Sequence, residues 1–253
     1  MIHLNELITY LDHELDIKSI DDYCPNGVQV EGDNKKITHI VTSVSASLET
    51  IQKALELKPE VLIVHHGLFW KKDSYRIQGI KKEKIKLLLN QGTTLLAYHL
   101  PLDCHKKWGN NWKAAIDMGW KNIKGFGPRC SDGHLGVMGE VDNLPLDDFQ
   151  KKLEDYYAHP ASSALGGSKT VKKVALISGG AHKEIHDAVK EGADAFITGS
   201  FDEPIWHIAF EEKINFFAMG HSNTEKIGPK ALGEHLAKQF NLKHTFLDIP
   251  NPF

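Results

Sequence analysis

Apolar and polar residues alternate along the chain in the two periods that helices and strands require. Leucine and isoleucine recur at helical spacing over residues 4–16, which predicts an amphipathic helix with one apolar face. Apolar runs at 37–46 and 61–64 predict two buried strands, and residues 47–57 between them have the pattern of a helix with Ser47 as its N-cap. This strand–helix–strand order is typical of α/β proteins with parallel sheets.

The same succession of elements continues to the end of the chain. Further helices are predicted at about 80–90, 110–118, 145–157, 182–192, 204–213 and from about 224 or 229 to 240, and further strands at 93–100, 134–141, 171–181, 193–200 and 215–221. Residues 125–170 are otherwise irregular. The predicted fold class is therefore α/β, with two similar α/β halves at 1–124 and 125–253.

The order of elements and some of the residues suggest that the two halves arose by internal duplication. Sliding the first half by 134 positions places Ile63 on Ile197. A slide of 122 positions places His99 on His221 and Asp103 on Glu225. The first half carries the motifs HHGLFW and YHLPLD, and the second half carries GHSNTEK.

Composition narrows the class of protein. The chain has 253 residues, of which 41% are hydrophobic and 25% charged, which is ordinary globular usage and excludes a disordered or fibrous chain. The net charge of −3 gives no general attraction for polyanions, so strong nonspecific nucleic-acid binding is not expected. Three cysteines cannot all pair, the N-terminus lacks the basic start of a signal peptide, and no apolar run approaches about 20 residues. These features predict a cytoplasmic protein without a membrane span.

Three predicted strands end in histidines or carboxylates. These residues are His65 and His66 after the strand at 61–64, His99 and Asp103 at the end of the strand at 93–100, and His221 and Glu225 at the end of the strand at 215–221. Open α/β sheets bind ligands at the carboxyl ends of their strands. A histidine pair alone is more typical of a solvated strand end, but three such motifs at matching ends favour a metal site.

The donor atoms of this set indicate which metals it suits. Nitrogen and oxygen ligands fit Zn, Fe, Mn, Co or Ni rather than Ca, and thiolates of the structural-zinc kind are missing. Five ligands (His65, His66, Asp103, His221 and Glu225) exceed the usual number for one catalytic ion and suit two ions about 3.5–4 Å apart. We therefore predict a dinuclear site at the strand C-terminal ends, between the two halves. Adjacent strand residues face opposite ways, so both histidines reach one site only if the chain turns there, which Gly67 permits.

Two other motifs have competing interpretations. His182 and His186 share one helix face, but the acidic residue stands in the wrong place for an HExxH zinc site, so solvated histidines are expected. Gly179 and Gly180 precede that helix, where their N–H groups could cradle a phosphate or simply form a tight strand-to-helix turn.

Several motifs together resemble the GTP cyclohydrolase 1 type 2 homologues, a family of hexameric proteins with a dinuclear metal centre. The matching segments are PNGVQVEG (25–32), VHHGLFW (64–70), YHLPLD (98–103), GNNW (109–112), ITGSFD (197–202) and GHSNTEKIGPKAL (220–232). The family usually has Pro where Gly67 stands, which should loosen the turn without removing a ligand. The resemblance implies that the five ligands named above hold two divalent ions and that His99 lies beside these ligands without binding an ion directly.

The resemblance also implies an assembly and an activity. The assembly is a ring-shaped homohexamer with its sites facing an inner cavity, and the apolar residues of GLFW (67–70) and PIWHIAF (204–210) could form subunit contacts. The activity is hydrolysis of GTP or a related nucleotide at the purine C8 with loss of formate. His99 is then the catalytic residue that shuttles protons; Glu225 is the alternative, but a metal-bound carboxylate is a poor free base. No guanine-reading or ribose-reading motif is recognisable. Two alternatives stay open, a phosphoesterase acting on another nucleotide and a non-enzymatic metal-binding or assembly protein.

Overall fold

The structure is a computed structural model that describes residues 2–33, 36–131 and 133–253. Its strands are β1 (Ile2–His3), β2 (Gly27–Val30), β3 (Lys36–Ile37), β4 (His39–Ser45), β5 (Val61–His66), β6 (Thr94–Ala97), β7 (Lys121–Cys130), β8 (Gly133–Pro145), β9 (Ser162–Leu165), β10 (Thr170–Leu176), β11 (Ala195–Thr198), β12 (Asn215–Ala218) and β13 (Lys243–Phe246). Its helices are α1 (Leu4–Glu14), α2 (Leu48–Glu56), α3 (Gly79–Gln91), α4 (Leu100–Cys104), α5 (Asn110–Asp117), α6 (Leu146–Tyr157), α7 (Ile185–Lys190), α8 (Ile205–Glu211), α9 (His221–Thr224) and α10 (Ile227–Phe240). The predicted α/β class is confirmed.

The chain divides into two compact units. Unit 1 comprises Met1–Trp108 and Gly228–Pro250, and unit 2 comprises Gly109–Ile227 and Asn251–Phe253. This division differs from the predicted boundary between residues 124 and 125. The difference has two causes. The helix α5 shares an apolar core with β8 and therefore belongs to unit 2. The chain also returns to unit 1 through α10 and β13.

Unit 1 is built around a five-stranded sheet in the order β13-β4-β5-β6-β2. The first four strands are parallel, and β2 runs antiparallel to β6 at the edge. The helices α2 and α3 connect successive parallel strands, as the strand–helix–strand pattern predicts. Ser47 caps α2, since its hydroxyl accepts a 2.9 Å hydrogen bond from the Thr50 amide.

Unit 2 contains a six-stranded sheet in the order β7-β8-β10-β11-β12-β9. Strands β10, β11 and β12 are parallel, and β9 runs antiparallel to β12 at the edge. Each unit thus has three consecutive parallel strands beside an antiparallel edge strand that precedes them in the chain. The long hairpin of β7 and β8 has no counterpart in the described part of unit 1, and its first strand lies largely in the segment that sequence patterns left irregular.

Each unit has its own buried apolar layers, which fix the sheet and the strand ends. In unit 1, Val61 and Ile63 of β5 pack on one side of the sheet and Leu62 and Val64 on the other. Both faces of β5 are therefore buried, which is why its sequence is continuously apolar until it reaches His65. None of the helices in the described ranges has the length and apolar character needed to span a bilayer.

Two half-buried histidines of unit 1 predict acid sensitivity. Burial lowers the pKa of His244 and of His105 to about 4. The His244 ring lies 2.8 Å from the Thr42 hydroxyl and occupies space that a Cβ at Gly233 would fill. The unfolded chain binds these two protons near pH 6.5, so the stabilisation is complete above that pH and is lost as the pH falls towards 4. Allowing for partial solvent exposure, we expect a loss of about 1–2 kcal/mol per histidine.

Chemical denaturation in the presence of EDTA at pH 7 and pH 4.5 measures this effect. His244→Gln keeps a hydrogen-bonding side chain without the titration and should reduce the difference between the two pH values. His13→Gln is the matched control, because the His13 side chain is 84% exposed. An unchanged pH dependence in His244→Gln would contradict the assignment.

Candidate metal centre

The candidate site residues of unit 1 lie at the carboxyl ends of neighbouring parallel strands. His65 and His66 are the last two residues of β5. His99 follows β6 and precedes α4, whose first turn carries Asp103. The short helix α4 was not predicted, but it places Asp103 one turn after His99 and brings its carboxylate to His65 at the end of β5.

His65 is held by the backbone and faces a carboxylate. Its side chain is fully buried, and its Nδ1 lies 3.1 Å from the Tyr98 carbonyl oxygen. A carbonyl only accepts hydrogen bonds, so Nδ1 carries a proton, and in the neutral form of the ring Nε2 is an acceptor. Nε2 lies 3.5 Å from Oδ2 of Asp103, which is 4% exposed. A buried acceptor facing a carboxylate at this distance indicates a position that favours a cation.

His66 and His99 complete a cluster of three histidines. The ring centroid of His65 lies 4.8 Å from that of His66 and 4.9 Å from that of His99. One ligand atom from each ring lies within 4.8 Å of those of the other two, a spacing that could hold a metal ion. His66 is half-buried, and its Nδ1 lies 3.0 Å from the Ser45 hydroxyl of the adjacent strand. The cluster therefore has imidazole donors oriented from outside by backbone and hydroxyl groups.

Asp22 orients His99, and sequence patterns gave no indication of this role. Oδ1 of Asp22 accepts a 2.9 Å hydrogen bond from Nδ1 of His99, and Oδ2 accepts one of equal length from the Leu100 amide. Burial opposes ionisation of Asp22, but hydrogen bonds from His99, the Cys24 amide and Asn26 outweigh it and lower the pKa of Asp22 to about 2. Asp22 is therefore ionised at neutral pH and holds the His99 proton on Nδ1.

Two aromatic residues flank this cluster. The Trp70 ring contacts His99 edge-on at 5.3 Å between centroids, and its centroid lies 5.9 Å from that of His66. Tyr23 stacks against Trp70 at 5.8 Å and meets His99 edge-on at 5.1 Å. Trp70 is half-buried, packs against the apolar core of unit 1 and also lies next to the histidines, a position that sequence patterns did not indicate.

Gly67 leaves space for a neighbouring side chain, a role that the sequence did not indicate. It is not among the glycines with positive φ, so the chain is not left-handed at this residue. A Cβ at Gly67 would lie 2.2 Å from Oε1 of Gln29, and that same oxygen accepts a 2.6 Å hydrogen bond from the Leu68 amide. The glycine therefore makes room for Gln29, which fixes the chain directly after the histidine pair.

The candidate residues of unit 2 lie at the end of β12. His221 begins α9, and Nε2 of His221 lies 3.3 Å from Oε2 of Glu225. The Glu225 side chain is 5% exposed and that of His221 is 39% exposed. A carboxylate buried beside an imidazole again combines oxygen and nitrogen donors.

Gly179 is the close-packed neighbour of this pair. Its φ of +68° is in the left-handed region, and a Cβ there would lie 2.2 Å from Oε1 of Glu225. The Gly179 amide donates a 3.0 Å hydrogen bond to the Thr224 hydroxyl, which in turn bonds to the carbonyl of His221. The sequence left a phosphate cradle and a tight turn open for Gly179 and Gly180. A tight turn accounts for these contacts, because Gly179 packs directly against the Glu225 carboxylate.

The other histidine pair of unit 2 follows the prediction only in part. His186 is exposed, as expected of a solvated helix face. His182 is not, because its side chain is 15% exposed and its Nε2 lies 3.2 Å from Oδ2 of Asp202. The two rings therefore have different surroundings.

The donor set fits divalent transition-metal ions. Imidazole nitrogens and carboxylate oxygens supply every candidate ligand in both units. Two pairs of candidate ligands place an imidazole nitrogen 3.3–3.5 Å from a buried carboxylate oxygen. They are His65 with Asp103 and His221 with Glu225. Bound cations commonly bridge such nitrogen and oxygen donors.

The sequence matches a known family over almost its whole length. The profile of the family described as Duf34/NIF3 (NGG1p interacting factor 3) matches residues 2–252. A protein of Chlamydia pneumoniae named GTP cyclohydrolase 1 type 2 homolog is 46% identical over 253 residues, with all of both chains covered. A Pseudomonas aeruginosa protein of the same name is 37% identical, with 99% of each chain covered.

Solved structures give the same result for the fold. A protein from Thermus thermophilus superimposes with a TM-score of 0.91 at 32% identity, and the match covers 100% of both chains. The protein ybgI, described as of unknown function, superimposes with a TM-score of 0.93 at 36% identity, also over 100% of both chains.

Proposed function

Because this chain belongs to the DUF34/NIF3 family, we propose that it is a metal-dependent hydrolase whose candidate residues bind two divalent ions. The proposed ligands are His65, His66, Asp103, His221 and Glu225. The observation that carries the proposal is the pairing of the His65 acceptor nitrogen with the buried Asp103 carboxylate at 3.5 Å, inside a cluster of three histidines. Zn, Fe, Mn, Co and Ni all suit these donors.

The proposed reaction is the hydrolysis of GTP or a related nucleotide at the purine C8, which leaves as formate. Divalent ions at these ligands would supply a Lewis acid that lowers the pKa of water and stabilises developing negative charge. The chain's own contribution is to hold the ligands rigidly. Tyr98 fixes the tautomer of His65, and Ser45 contacts His66 from the neighbouring strand.

His99 is the proposed proton carrier. Its Nδ1 donates to the ionised Asp22, so its Nε2 is available to take a proton from water or from the substrate and return it. A carboxylate behind an imidazole both orients the ring and stabilises its protonated form. We assign His99 a role next to the ions in line with the resemblance, since a carboxylate contact of this kind is also typical of metal-ligating histidines.

A nucleotide panel tests the activity. The full-length protein, loaded with Mn or Zn, should release formate from GTP or a related purine nucleotide, and His99→Gln should slow this release about 100-fold or more while metal content stays the same. Release of phosphate without formate would favour the phosphoesterase alternative. Full metal loading without turnover of any nucleotide would favour a metal-binding or assembly protein.

We also propose a homohexameric assembly, in line with the resemblance. Trp206 and Phe210 of α8 are 56% and 46% exposed, whereas Ile205 and Ala209 of the same helix are buried. Exposed aromatic side chains on one helix face support a subunit contact there. Light scattering at micromolar concentration should give a mass near six chains, and a stable mass of one chain would contradict the assembly.

A further inference from the structure

A groove in unit 1 adjoins the histidine cluster and has the chemistry of a ligand site. It has a volume of about 390 Å³, within the range of small-molecule sites, and Asp22 and Trp70 lie in its wall. Both residues also contact His99. A ligand in this groove would therefore lie beside the candidate metal centre.

Aromatic side chains form a large part of the groove. Phe69, Trp70 and Tyr75 line it. Tyr75 is 99% exposed, which is unusual for a large aromatic ring, and Trp70 is partly exposed. Flat rings of this kind stack on the faces of aromatic heterocycles.

Cationic side chains lie along the same groove. Lys71 and Lys81 line it, and Nζ of Lys81 lies 4.8 Å above the Phe69 ring centroid. Lys71 pairs with Asp21 at 2.6 Å and Lys81 with Asp73 at 3.4 Å. Ion pairs between surface side chains contribute little free energy, so a multiply charged anion can compete for these lysines.

The surrounding segment is basic although the chain is acidic overall. Residues 71–86 contain seven lysine or arginine side chains and two acidic ones, whereas the whole chain has a net charge of −3. A local excess of positive charge next to a site attracts anionic ligands and orients them. The groove wall itself carries two lysines and two aspartates, so the excess of positive charge lies in the adjoining chain segment, next to the aromatic rings.

We propose that this groove binds a phosphorylated aromatic heterocycle, with its ring stacked on Trp70 and its phosphate near Lys71 and Lys81. The inference rests in part on the proposed function, since it names the substrate class of the same centre and the residues that read it. It also supplies the nucleotide-reading residues that sequence motifs did not reveal. Mononucleotides are the simplest ligands with both chemical features.

Calorimetric titration of the unmodified full-length chain tests the groove without relying on a variant. GMP carries the ring and the phosphate, guanosine the ring only, and ribose 5-phosphate the phosphate only. We expect GMP to bind at least about tenfold more tightly than either of the other two, and to bind more weakly as salt rises. Equal affinity for GMP and ribose 5-phosphate, or for GMP and guanosine, would overturn the proposal.

Substitutions locate the binding. Trp70→Leu should weaken GMP binding about tenfold, and Lys81→Gln should weaken GMP binding while leaving guanosine binding unchanged. Phe253→Leu is the control, because Phe253 is an exposed aromatic residue that lies in unit 2. If Trp70→Leu folds, as circular dichroism would establish, and binds GMP like the unmodified chain, the groove is not the site.

Repeating the titrations with EDTA separates this inference from the proposed function. Binding of GMP that survives removal of divalent ions supports the groove, and binding that disappears with the ions overturns it. Retained GMP binding without formate release would contradict the hydrolase but not the groove. Formate release unaffected by Trp70→Leu and Lys81→Gln would contradict the groove but not the hydrolase.

Discussion

Asp103→Asn is expected to remove metal binding without destabilising the metal-free protein. The asparagine has nearly the same shape, and its amide can donate a hydrogen bond to Nε2 of His65, which lies 3.5 Å from Oδ2 in the native chain. Nε2 of the neutral His65 ring and the Asp103 carboxylate oxygen are both acceptors, and the substitution replaces that oxygen with an amide donor. The affinity for divalent ions should fall about 100-fold or more, since an anionic ligand is lost.

Equilibrium dialysis with Zn or Mn measures the affinity, and denaturation in EDTA measures the stability. Asp33→Asn is the control, because Asp33 is an exposed aspartate of the same unit. We expect Asp103→Asn to unfold at the same or a higher denaturant concentration than the native chain in EDTA. Lower stability in EDTA with unchanged metal affinity would instead make Asp103 a structural residue.

Gly179→Ala should displace the Glu225 carboxylate and thereby abolish normal metal loading. The new Cβ would lie 2.2 Å from Oε1 of Glu225, and the φ of +68° adds the strain of a left-handed alanine. Gly119→Ala is a matched control in unit 2, because Gly119 has a φ of +73° and a Cβ added there would meet no neighbouring atom within 4 Å.

The comparison between these two glycine variants isolates the collision from the backbone strain. Both variants should lose about 1–2 kcal/mol of unfolding free energy, the usual cost of an alanine at positive φ. Only Gly179→Ala should also lose metal, measured by elemental analysis after dialysis against Zn or Mn. Equal metal contents in the two variants would show that the Glu225 position is not needed for binding.

Sequence patterns predicted the helices and strands that bury at least one of their faces. The strand at 61–64 and the helix capped by Ser47 are examples, since continuous burial and a cap leave direct signals in the residues. β7 and β13 were missed because their residues are largely exposed or half-buried and carry no alternation. Their pairing depends on tertiary partners, which local patterns do not contain.

The candidate ligands were identifiable because they cluster at strand ends, whereas the residues that orient them were not. Asp22 lies in a loop whose sequence indicates only a turn. Its contact with His99 joins residues that are 77 positions apart in the chain. Gln29 likewise contacts Leu68 across 39 positions. The internal duplication stays a prediction, supported by the shared order of three parallel strands and one antiparallel edge strand in the two units.

The central proposal is that the five candidate ligands bind two divalent ions, and counting the metal ions bound to each chain tests it most directly. Elemental analysis of the native chain, supplemented with Zn or Mn and dialysed, should give about two ions per chain. Asp103→Asn and Glu225→Ala should each bind clearly fewer than two ions, because each variant lacks one anionic ligand of the proposed set. A native chain without bound metal, or two variants that each retain both ions, would contradict the proposal.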